Sequence, residues 1–153
     1  MISSSAPTAE LAIATDLAAH LAVRHRVFVE MQGLFAGTDR DARDEAADTV
    51  HVVAVVDGEV VGTVRLYPLG DGRWKGDRLA VLPDARVHRL GGALVDFAVR
   101  TAGASGGRVM VAQVQVANVR FFERLGWVRD GSPALYHGVM HQPMAIGLSA
   151  AAG

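Results

Sequence analysis

Between Leu79 and Arg100 the chain reads LAVLPDARVHRLGGALVDFAVR. A short apolar run stops at Pro83, a basic loop with two adjacent glycines follows, and an apolar helical pattern runs from Gly91 to Ala104. The spacing therefore predicts a strand, a turn and a helix. The first turn of any helix carries free backbone N–H groups and a partial positive charge. Gly91 and Gly92 would let a ligand approach the backbone closely, and Arg86, His88 and Arg89 add positive charge at the same point. Such a turn suits an anion, and a pyrophosphate is the natural guest. The same residues also suit an ordinary strand-to-helix turn with solvated arginines. No GK[ST] follows and GxGxxG is absent, so this is neither a Walker loop nor a dinucleotide fingerprint.

The remaining sequence narrows the setting. The 153 residues, half of them hydrophobic, suit one domain over residues 1–153, with an ordered core at about 10–148 and frayed ends at Met1–Pro7 and Ser149–Gly153. There are no cysteines, which removes disulfides, thiolate zinc sites and cysteine nucleophiles and fits a cytoplasmic location. The net charge of −1 disfavours a nucleic-acid binder. No apolar run approaches the ~20 residues that cross a bilayer, and no basic stretch precedes the first apolar residues as in a secretory signal.

Thr15 or Asp16 is placed to cap a helix through LAAHLAVRHRVFVEMQ, which Gly33 and Gly37 end. TDRDARDEAAD reads as a solvated loop or short exposed helix, whose acids Asp39, Asp41, Asp44, Glu45 and Asp48 could alternatively attract a cationic amine. Strands are expected at His51–Val56 and Val60–Tyr67, joined by the hairpin pair Asp57-Gly58, and at Trp74–Leu82. After the helix come a strand at Val109–Val116, a short helix at Ala117–Leu125 capped by Gly126, and strands near Ala134–His137 and His141–Leu148. That order describes a mixed α/β sheet flanked by helices.

Two motifs carry a family resemblance. Arg86-Val87-His88-Arg89-Leu90-Gly91, with Ala93-Leu94-Val95 after it, resembles the [R/Q]xxGx[G/A] pyrophosphate loop of the GNAT N-acetyltransferases. AQVQVANVRFFERLGW resembles that family's fifth strand and following helix. VRHRVFVEMQG, Asp48, His51 and LYHGVMHQPMAIGL are similar to an ElaA-like subgroup related to acyl-homoserine-lactone synthases, and to acetyltransferases of bacterial nitrilase clusters.

The resemblance implies the GNAT fold, acetyl-CoA as donor and a small-molecule primary amine as acceptor. It assigns the cofactor to Arg86, Val87, His88, Arg89, Leu90, Gly91, Gly92 and Ala93, with Asn118, Phe121, Phe122 and Arg124 along the pantetheine and phosphates. The backbone at Leu79, Ala80 and Val81 would polarise the thioester carbonyl. Arg89 replaces the family's first glycine, which requires that the backbone there not demand a positive φ. Phe122 replaces the tyrosine that often serves as acid, leaving Tyr136 and Tyr67 as substitutes.

Glu30, His51, Asp77 and His137 are candidates for the base, and Arg26, Phe28, Arg78 and His137 for acceptor contacts. Arg26 and Arg78 lie in apolar segments and should pair with acids or with an acceptor carboxylate. No metal is expected, since Gly138 and Pro143 prevent His137 and His141 from sharing a helix face. A homodimer is expected by resemblance. A non-catalytic CoA-binding module and a longer-chain acyltransferase remain alternatives.

Overall fold

The computed structural model describes residues 9–149, without the side chains of Val87 and His88. The expected frayed start and all of the expected tail except Ser149 lie outside the described residues. The strands are β1 (Ala9–Ile13), β2 (Val50–Val56), β3 (Glu59–Gly70), β4 (Arg73–Val81), β5 (Val109–Gln115), β6 (Val128–Arg129), β7 (Ala134–Tyr136) and β8 (Val139–Gly147). The helices are α1 (Leu17–Arg24), α2 (Leu90–Ala104) and α3 (Val119–Arg124). The strands form one sheet in the order β1-β2-β3-β4-β5-β8-β6, with β7 paired to β8. This is the expected mixed sheet. β1 and β6 were not expected: β1 is a mostly exposed edge strand and β6 is two residues long, so neither shows a buried apolar run.

Local chemistry explains the turns. Asp57-Gly58, Asp71-Gly72 and His137-Gly138 all have positive φ at both positions, the conformation that tight two-residue hairpins favour. Asp16 caps α1 by accepting a hydrogen bond from the Ala18 N–H at 3.0 Å. The helix does not then continue as α. His25–Met31 forms a π-helix, with the Gln32 N–H bonded to the Val27 carbonyl at 2.9 Å. The wider turn buries Val27 and Phe28 and carries the chain end toward Gln32.

α1 and α2 pack on opposite faces of the sheet. On the α2 face the core is Val52, Ala54, Leu66, Leu94, Met110 and Met144. On the α1 face a smaller cluster joins Val23, Val27, Phe28, Leu34 and Ala80. Alternation along β3 buries Val64 and Leu66 beneath α2 and turns Thr63, Arg65 and Tyr67 the other way.

Candidate active site

A gap in the sheet creates the site. β4 and β5 run parallel and pair only at Arg73–Lys75 with Val109–Val111. Beyond that rung the strands separate, β4 to Val81 and β5 to Gln115. Their facing edges leave backbone groups free to pair with an extended guest. A cleft occupies the gap, with Leu79, Asn118, Phe122 and Trp127 toward the α2 side and Phe28 and Phe35 toward the α1 side.

β4 also carries a bulge. Thr63 pairs with Ala80 and Arg65 with Asp77, so Arg78 and Leu79 together oppose Val64. Arg78 has φ 54, a strained value for a side chain of its size. It is held there from several sides. Thr63 Oγ1 donates to its carbonyl at 2.9 Å, Asp39 Oδ2 lies 3.0 Å from its Nε, and its guanidinium sits 4.6 Å above the Phe35 ring. The extra residue directs two consecutive charges, Asp77 and Arg78, to the α1 face. Leu79–Val81, the stretch assigned to the thioester carbonyl, follows directly.

At the wide end of the gap, a 3₁₀ turn over Pro83–His88 leads into α2. Arg89 at the helix start has φ 54 and ψ 41, so the backbone does adopt the left-handed conformation that the family's glycine serves. The expectation that Arg89 would avoid it is corrected: the turn from the 3₁₀ segment into α2 requires it. Arg89 makes no side-chain cap, leaving the first N–H groups of α2 open to an external anion. Leu90 is buried, while Gly91, Gly92 and Ala93 continue the turn. A Cβ on Gly91 would touch Phe121 at 3.4 Å, so α2 and α3 approach through this glycine. Arg86, Arg89 and Arg124 are exposed and form no ion pair among the described residues. Val87 and His88 contribute backbone to the turn, and their side chains lie outside the description. Free strand edges, an uncapped helix start and unpaired arginines fit a long phosphorylated cofactor such as CoA.

On the opposite face lies a charge network that corrects the reading of TDRDARDEAAD. Asp39 and Asp44 are buried, and a 3₁₀ turn over Ala42–Asp44 folds the segment back on the sheet. Arg24, fully buried, donates to Asp39 at 2.7 Å and to Asp44 at 2.6 Å. Arg65 grips Asp77 through two bonds of 2.7 Å and reaches Asp41 at 2.6 Å and Asp44 at 3.1 Å. Arg78 pairs with Asp39 and Asp41, one of the partnerships expected from the sequence. Arg26 is exposed, 3.5 Å from Glu30; the helical register turns Arg24 inward instead.

The candidate bases are dispersed. Glu30 is half exposed beside His25 and Arg26 and outside the cleft. His51 bonds Asp44 at 3.1 Å and packs against His20. Asp77 lines the cleft but both its oxygens are held by Arg65. Tyr136 lines the cleft, and His137 packs against Phe35 with ring centroids 4.3 Å apart. Tyr67 lies under Arg43, and burial and Asp77 raise its hydroxyl to about 12. Sequence reasoning missed Arg24 and Arg65, and the burial of Asp39 and Asp44. Arg65 had a usable signal, a charge inside the apolar run VVGTVRLYP.

The network's histidines imply a pH response. Burial pushes the His20 imidazole down to about 3, although its Nε2–H donates to the Val64 carbonyl at 3.3 Å. Burial also lowers His51 despite the nearby Asp44. A folded pKa below the unfolded ~6.5 means that the unfolded chain binds more protons between those values. Stability is full above about 6.5 and declines as pH falls toward 3. From His20 alone, urea unfolding at pH 4.5 should give a stability roughly 2–3 kcal/mol below that at pH 8. His20→Gln should flatten that interval, and an equally steep variant would count against the assignment.

Fold and site together define a cofactor-dependent group-transfer protein with a split sheet. The sequence profile of the acetyltransferase (GNAT) family matches residues 15–127, and the chain belongs to that family. A candidate acetyltransferase of Bacillus subtilis (strain 168) is 28% identical over 127 residues, 82% of this chain and 86% of its own. A candidate N-acetyltransferase from Lactobacillus plantarum has the same fold, with a TM-score of 0.82 at 24% identity over 94% of this chain and 99% of its own. Escherichia coli ElaA gives a TM-score of 0.78 at 20% identity over 92% of this chain and 99% of its own. The protein is thus an acyltransferase enzyme of the acyl-CoA-using GNAT class.

Proposed function

We propose that the protein transfers an acetyl group from acetyl-CoA to a primary amine of a small molecule, by direct attack on the thioester. The observation that carries this reading is the alignment of three features along one gap: open β4 and β5 edges, the Arg78 bulge and the uncapped start of α2. The first turn of α2, with Arg86 and Arg89, would hold the pyrophosphate. Asn118 and the strand edges would hold the pantetheine, Phe121 and Phe122 would flank its thioester end, and Arg124 would meet a phosphate. CoA supplies, when bound, an acyl group activated as a thioester.

The chain's own groups then position and polarise. The backbone after the bulge, Leu79–Val81, supplies donors for the carbonyl oxygen. Phe122 has no proton to give, whereas Tyr136 carries a hydroxyl and lines the cleft. Phe28 and Phe35 give the acceptor an apolar wall. Asp77, fixed by Arg65, places negative charge beside an incoming ammonium. Within the family, the VRHRVFVEMQG segment and the fold shared with ElaA support an ElaA-like placement.

The test is thiol release from acetyl-CoA across polyamines, amino acids and aminoglycosides, beside calorimetric binding of acetyl-CoA. We expect tight binding, with turnover confined to one amine class. Binding without release to any amine would replace the transferase reading with a binding module.

A further inference from the structure

His141 belongs to none of the roles above, and register places it at the centre of the cleft. The last rung between β4 and β5 is Lys75 with Val111. Four residues onward, β5 reaches Gln115, whose partner on β8 is His141. Four residues onward along β4 is Leu79, immediately past the bulge. His141 therefore stands level with the bulge across the gap, and it lines the cleft.

The ring is oriented by its surroundings. His141 is 4% exposed, and its Nδ1 lies 2.8 Å from the Val139 carbonyl oxygen. A carbonyl can only accept, so Nδ1 carries a proton. In the neutral ring the lone pair is then on Nε2, which makes no hydrogen bond to any described residue. Tyr136 meets the ring edge-on with centroids 5.2 Å apart.

The other titratable or charged groups around this cleft are Lys75, Asp77 and Arg78 on β4, Tyr136 on β7 and His137 in the hairpin turn. Lys75 and Arg78 are cations. Asp77 is held by Arg65, and His137 packs against Phe35. An imidazole with one nitrogen fixed by a backbone carbonyl and the other unengaged has the geometry of a general base.

We propose that His141 is the general base of the transfer reaction, an assignment that rests on the transferase reading. Its Nε2 accepts the proton that the amine loses as nitrogen bonds to the acyl carbon. The C–S electron pair leaves on sulfur, and the imidazolium returns its proton to solvent.

One arm of the test needs no acceptor. In protein labelled with [15N]histidine, long-range 1H–15N spectra between pH 5 and 9 report each ring's tautomer. The His141 signals are those missing from His141→Asn, or from His141→Gln should that variant fail to fold. We expect the neutral form to be the Nδ1–H tautomer; an Nε2–H tautomer overturns the proposal. The second arm uses His141→Asn and His141→Gln with the amine found by thiol release. Acetyl-CoA affinity should stay within about twofold, while kcat/KM falls about 100-fold or more and the acidic limb of its pH profile disappears. Wild-type kcat/KM with an unchanged profile would also overturn it. Should no amine support turnover, the transferase reading fails and the tautomer alone decides whether His141 is poised as a base.

Discussion

Replacing Arg65 with alanine should lower the unfolding free energy by about 3–5 kcal/mol, read as a fall in the urea midpoint with little change in slope. Arg65 is buried, and its guanidinium is shared by Asp77, Asp41 and Asp44. Removing it leaves Asp44, itself buried, with only Arg24 and His51 as side-chain partners, and leaves Asp77 without its bidentate partner. The loss is a large share of the 5–15 kcal/mol typical of a domain. Arg65→Met preserves much of the volume but supplies no donors, so it should cost nearly as much as alanine. A loss below about 1 kcal/mol in both variants would show that the carboxylates find water instead, and that the network does not hold the 39–44 loop to the sheet.

The second large effect concerns Arg89. Arg89→Glu should weaken acetyl-CoA binding by tenfold or more, at least about 1.4 kcal/mol, with unfolding free energy changed by less than about 1 kcal/mol. The variant reverses a charge at the open start of α2 while leaving every described hydrogen bond of that turn in place. Arg89→Gly separates two contributions. It relieves the left-handed backbone, whose strain is about 1–2 kcal/mol for a side chain, and it removes the cation. It should therefore fold at least as well as the parent and still bind less tightly. Unchanged calorimetric affinity in Arg89→Glu would mean that the anion seat lies elsewhere.

The fold was legible because its signals are local. Asp57-Gly58 marks a hairpin through its backbone preference alone, and Pro83 followed by Gly91-Gly92 marks a strand stop and a helix start. The turn proposed to seat the pyrophosphate was legible as a turn for the same reason. The charge network was not, because its partners come from α1, the 39–44 loop, β3 and β4. Nothing in TDRDARDEAAD distinguishes Asp39 and Asp44, which are buried, from Glu45 and Asp48, which are not. Arg24 follows Leu17 and Leu21 at helical spacing, on the buried face, but its partners Asp39 and Asp44 lie in another segment. Arg78 could be suspected of pairing, but its bulge depends on a register between strands that no single segment encodes.

Salt should distinguish two electrostatic systems in this molecule. The guanidiniums of Arg24, Arg65 and Arg78 are buried, where counterions cannot approach. Arg86, Arg89 and Arg124 stand in solvent, where the screening length is ~8 Å at physiological ionic strength. Raising salt therefore leaves the packing of the acidic loop nearly untouched while weakening the attraction of a polyanionic cofactor. On the proposed reading, the same residue type serves permanence in the interior and reversible capture at the surface.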